Sequence, residues 1–124
     1  MLAAAAAGQW ADGCTAIAVW VFAPSGLLFV ASLGDARAVL ARCEAPGAPP
    51  RAVVLSREHK PIHPAERARI ERAGGSVVDG RLDGRLEVSR AFGDRQFKKH
   101  GLSAAPDVVV ATLGPPDRFL LLGE

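Results

Sequence analysis

Residues 14–22 (CTAIAVWVF) are apolar at both odd and even positions. That pattern belongs to a strand buried on both faces, and the bulky and β-branched side chains favour strand over buried helix. In residues 23–26 (APSG), Pro24 and Gly26 stand where a type I turn wants them. Residues 27–32 (LLFVAS) then read as a second strand, antiparallel to the first. Gly34 and Asp35 make a tight connection into residues 36–42 (ARAVLAR), a third strand. The expected start of the fold is therefore a three-stranded meander. Residues 44–50 (EAPGAPP) form a loop because of their Pro and Gly content, and residues 52–55 a short strand.

Residues 63–73 predict a helix, with Pro64 at its first position and Gly74 and Gly75 at its stop. Glu66 can pair with Arg69, and Arg67 with Glu71. The apolar positions Ala65, Ala68, Ile70 and Ala73 are small and widely spread, which suggests a helix lying on a sheet through small-residue contacts. Residues 76–78 and 81–82 read as short strands. Asp83 and Gly84 are a two-residue hairpin signal, with residues 86–88 returning. Residues 89–97 suit a short helix or turn. Residues 107–113 and 118–122 are late strands joined through Gly114, Pro115, Pro116 and Asp117. Residues 119–122 (FLLL) look like a central strand, and the sequence stops two residues later, so the expectation is a truncated α+β domain.

The chain has 124 residues and a net charge of +2. That length supports one small domain. The mixed, weak charge is no nucleic-acid footprint, and Lys98, Lys99 and His100 read as a solvated turn. Cys14 and Cys43 lack metal-site spacing and read as free, buried thiols in a reducing, intracellular setting, cytoplasmic or nuclear. Residues 1–9 are Ala-rich without the basic start of an export signal. No segment reaches membrane-spanning length. The expected division is an ill-determined end at residues 1–11 and a partial domain at residues 12–124.

Neither a phosphate-binding P-loop nor a G-x-S-x-G elbow is present. His59, His63 and His100 lack H-E-x-x-H spacing; His63 fits a helix start and His59 a surface turn. Asp35 follows Gly34 at a strand end, where a carboxylate can bind a hard cation such as Mg²⁺ or Mn²⁺, or bond nearby backbone N–H groups. Arg81 and Arg90 flank the Asp-Gly turn. Their guanidinium forks suit a phosphate or an ion pair, for instance with Asp79, Asp83 or Asp94.

In order and spacing, DGCTA (12–16), GDARAVL (34–40), SREHKP (56–61), ERARIERAGGSV (66–77), RLDGRLEVSRAFGD (81–94), Pro106 with Asp107, and DRFLLL (117–122) form one set. On these motifs the chain resembles the metal-dependent protein serine/threonine phosphatases of type 2C (PPM-type), and residues 78–99 look most like the integrin-linked-kinase-associated branch. The resemblance implies a partial four-layer α-β-β-α sandwich with mostly antiparallel strands. It also implies hydrolysis of phosphoserine and phosphothreonine in proteins by water activated with Mg²⁺ or Mn²⁺.

Carried over, Asp35 falls on the aspartate of the family's Gly-Asp-Ser-Arg motif, which serves a peripheral metal site; Ala36 replaces the serine. Thr15 falls on a supporting threonine and Arg81 on an arginine near the substrate groove. Arg90 and Asp94 take structural positions, and His59 matches a turn histidine that is not catalytic. The family's D-G-H-G-G motif, its phosphate-binding arginine and its later Asp-Gly and Asp-Asn ligands have no counterpart here. The main metal ligands are therefore expected to be absent, no residue is assigned as catalytic, and the isolated chain is expected to be inactive. The other reading is a non-catalytic module of the same fold that binds phosphoproteins or a kinase, without nucleic acid or membrane as partner.

Overall fold

The computed structural model describes residues 11–124; the Ala-rich end expected at residues 1–9 lies outside them. In chain order the strands are β1 (Gly13–Cys14), β2 (Ala16–Phe22), β3 (Leu27–Leu33), β4 (Arg37–Arg42), β5 (Arg51–Val54), β6 (Val77–Val78), β7 (Arg81–Leu82), β8 (Phe92–Gly93), β9 (Asp107–Thr112) and β10 (Asp117–Gly123). The helices are α1 (Pro64–Arg72) and α2 (Arg95–Lys98). The named strand pairings are antiparallel, and the fold class is α+β, as expected. Two units divide the chain: residues 11–16, 33–35 and 59–105 in one, and residues 17–32, 36–58 and 106–124 in the other.

The second unit holds two three-stranded sheets, ordered β2-β3-β9 and β10-β4-β5. Side chains alternate along each strand. Leu28 and Val30 of β3 therefore turn inward with Ala38 and Leu40 of β4 and Leu55, and Ile17, Val19, Ala111 and Leu120 pack on them. The first two strands of the expected meander do lie side by side, but the third is corrected. β3 pairs with β9 and β4 with β10, so the Gly34–Asp35 turn passes the chain from one sheet to the other. A pattern of alternating apolar residues specifies which face is buried, not which strand lies alongside.

Two burial expectations also change. The stretch 14–22 is broken at Thr15, and β2 is not buried on both faces: Trp20 is 72% exposed and Phe22 51%. The FLLL stretch sits in β10 at one end of its sheet, with Phe119 and Leu121 exposed.

The first unit has its own core of Ile70, Leu82, Val88, Ala91, Phe97 and Leu102. Helix α1 begins after His63 with Pro64 at its start, as predicted. Its buried face is not the small apolar stripe: Ala65 and Ala68 are exposed, while Glu66 and Ile70, one turn apart, are buried. The pairs Glu66–Arg69 and Arg67–Glu71 form. The short ribbon β6-β7 turns at Asp79 and Gly80, both with positive φ. Asp83 and Gly84 also turn with positive φ, but the returning segment makes only a bridge from Leu86 to Leu82. The region expected as a short helix or turn resolves into β8 followed by α2.

Candidate functional site

The turn after β3 carries the first candidate residue. Gly34 has φ +83, a conformation that favours glycine. An added Cβ would also overlap the Thr15 side chain and stand 3.1 Å from the Arg90 carbonyl oxygen. Glycine is thus required twice over, by backbone conformation and by close packing. The Gly34 N–H donates to His59 Nδ1 at 3.1 Å, and the His59 N–H donates to the Gly34 carbonyl at 2.9 Å. His59 is 1% exposed. The expected surface turn is therefore corrected: this histidine is a buried clamp on the turn, and with Nδ1 accepting, its proton sits on Nε2.

Asp35 stands next in the turn. Its Oδ2 receives the Lys60 ammonium at 2.6 Å, and both side chains are 25% exposed. The pair explains the HKP order in the sequence: His59 holds the glycine and Lys60 the aspartate. Thr15, Gly34, Asp35, His59 and Lys60 thus come together. Arg81 does not join them. It bonds the Arg85 carbonyl and the Glu87 carboxylate, so the ion pair expected of it forms, with Glu87 in place of Asp79, Asp83 or Asp94.

Arg90 likewise takes a partner outside the expected set. Its Nη2 donates to Glu66 Oε1 at 2.7 Å, and its Nη1 to the Ala105 carbonyl at 3.0 Å. Glu66 also accepts from Arg69 Nη2 at 2.7 Å and Ser89 Oγ at 2.6 Å. Burial alone would push this carboxyl up, but the hydrogen bonds from Arg90, Arg69 and Ser89 hold it far below the usual carboxylate range. Ser89 in turn donates its N–H to the His59 carbonyl at 2.9 Å. Glu66 therefore anchors the segment on which the Asp35 turn rests. Sequence reasoning missed this role. The signal available was its place four residues before Ile70, on the same helix face.

The remaining candidates are placed as follows. Asp94 precedes α2 with φ 47, and burial raises its carboxyl. Cys14 is exposed and Cys43 half-buried, both free. The expected burial of Cys14 fails because β1 pairs only with β8 in a two-stranded ribbon, which cannot cover both faces.

A hard divalent cation needs several oxygen ligands. Asp35 offers one carboxylate, already in the grip of Lys60. Among the described residues, no group of three His, Cys, Asp or Glu side chains could hold a metal ion. Asp35 by itself would be one oxygen ligand of the several such an ion takes.

The protein phosphatase 2C family model matches residues 2–123, and the chain belongs to that family. It is similar to probable protein phosphatase 2C 8 of Arabidopsis thaliana, 48% identical over 99% of this chain and 37% of that protein. It is also similar to the integrin-linked kinase-associated serine/threonine phosphatase 2C of Homo sapiens, 47% identical over 91% of this chain and 28% of that protein. Among solved structures, serine-threonine phosphatase 2C from Toxoplasma gondii superposes with a TM-score of 0.81 at 27% identity, covering 98% of this chain and 44% of that one. The chain spans about a third of the length of these curated relatives.

Proposed function

We propose that this chain is part of a metal-dependent protein serine/threonine phosphatase domain, and that the 124-residue chain alone does not turn substrate over. In the whole enzyme, phosphoserine and phosphothreonine proteins would be the substrates, and a bound Mg²⁺ or Mn²⁺, held largely by ligands outside this chain, would activate water. Asp35, released from Lys60, would offer a carboxylate to a peripheral ion; Thr15, close beside Gly34, would support the turn; and Arg81 would lie on the substrate side. The observation that carries the reading is the Asp35 turn: it is built with care, held by His59 and Lys60, yet presents a single carboxylate. A binuclear centre needs more than that.

The test is p-nitrophenyl phosphate hydrolysis with Mn²⁺. The expected result is no rate above buffer. Metal-dependent turnover that disappears in Asp35→Ala overturns the inactivity. The second reading, a non-catalytic module that binds phosphoproteins or a kinase, is favoured by the 47% identity to a phosphatase whose name associates it with a kinase. Phosphopeptide binding without turnover would select it.

A further inference from the structure

A groove of about 800 Å³ opens in the first unit, and cationic side chains dominate its lining: Arg85, Arg95, Lys98 and Lys99, with His100 beside them. Their charges are not equally engaged. His100 is bonded to Asp83, the groove's acidic residue, which also accepts from the Ser76 N–H. Lys98 donates to the Ala91 carbonyl at 2.6 Å and is half-buried. Arg85, Arg95 and Lys99 are exposed. None of them has a carboxylate within ion-pair distance among the described residues. The Arg85 guanidinium lies over the Phe97 ring, 5.4 Å from its centroid. That stacking fixes one cation in place before any partner arrives, which lowers the ordering cost of binding.

We propose that this groove is a docking site for an acidic peptide segment of a partner protein. Charge complementarity carries the assignment: Arg85, Arg95 and Lys99, without a carboxylate partner, line an open channel whose one acidic residue, Asp83, already has His100 and Ser76 as partners. The ring in the groove is buried beneath Arg85, so no exposed aromatic is offered for stacking bases, as single-stranded nucleic acid would want. The lining itself holds no large exposed apolar side chain to enter a bilayer. The site is separate from the Asp35 turn, and the proposal stands whether or not the chain hydrolyses phosphate.

The test is fluorescence anisotropy of a short fluorescein-labelled Glu-rich peptide, with its Gln-rich counterpart as the neutral probe. The wild-type chain should bind the acidic peptide and not the neutral one. Arg95→Glu with Lys99→Glu should weaken binding about tenfold, since each reversal replaces an attraction with a repulsion. Arg57→Glu with Arg118→Glu changes the net charge equally at exposed positions of the second unit, and should stay within about twofold. Far-UV circular dichroism establishes that each variant folds. If the first pair does not, Arg85→Gln replaces it, with an expected loss of about threefold. Equal weakening by both charge-reversed pairs would overturn the proposal. So would wild-type binding no tighter to the Glu-rich than to the Gln-rich peptide. Tighter binding to oligo-dT or to phosphatidylserine vesicles than to the acidic peptide would do the same.

Discussion

Replacing Glu66 with alanine removes the carboxylate that two guanidinium groups share. Glu66 is 5% exposed, and the Arg69 and Arg90 side chains beside it are 28% and 16% exposed. Breaking a buried ion pair from one side costs about 3–5 kcal/mol because the remaining charge is left uncompensated. Some water reaches Arg69, and both arginines keep backbone carbonyl partners, Gly101 and Ser89 for Arg69 and Ala105 for Arg90. The lower end, about 3 kcal/mol, is therefore the expected loss. For a chain of this size that corresponds to roughly 10 °C in Tm.

The pH dependence gives an independent check. The folded-state pKa of Glu66 lies below its unfolded value of about 4.3. Its stabilising contribution is thus complete above that value and is lost as pH falls below it. Urea denaturation followed by circular dichroism, repeated from about pH 6 downward, measures this. The difference between wild type and Glu66→Gln, which cannot titrate, should shrink steadily below about pH 4. A loss under about 1 kcal/mol in Glu66→Ala, or wild-type and Glu66→Gln curves that stay parallel on acidification, would refute the reasoning.

Gly34→Ala should destabilise the chain by roughly 2–4 kcal/mol in the same urea assay, since a side chain at φ +83 is strained and its Cβ meets Thr15. Leu28→Ala should cost about 2–5 kcal/mol, because Leu28 is 1% exposed in the core between the sheets. Phe29→Ala, at a neighbouring position on the opposite face and 39% exposed, should cost less than half as much.

Strand and helix positions were largely readable in the chain. Helix α1 lies inside the predicted 63–73, marked by Pro64 and the paired glycines. The ribbon at residues 77–82 and the late strands fall where alternation and turn residues placed them. Those signals are local: a proline fixes φ, a glycine accepts positive φ, and side chains of period two share one face. The family was also legible, because its motifs are runs of adjacent residues. The resemblance further pointed to the Asp35 turn.

Partner choice was not legible, since it depends on residues distant in the chain. The sequence leaves β3 and β4 looking like neighbours in a meander, whereas the antiparallel registers with β9 and β10 separate them into two sheets. Arg90 has three nearby aspartates in the sequence, yet the fold gives it Glu66, 24 residues away. His59 looked like a surface residue because a histidine between charged neighbours carries no periodic signal of burial. Only the closure of the 59–60 segment onto the 34–35 turn removes it from water and gives Lys60 its aspartate. The sequence by itself determined the elements, the turns and the family. The tertiary structure decided which charges are buried together, because an ion pair depends on the distance between side chains in space and not on their spacing along the chain.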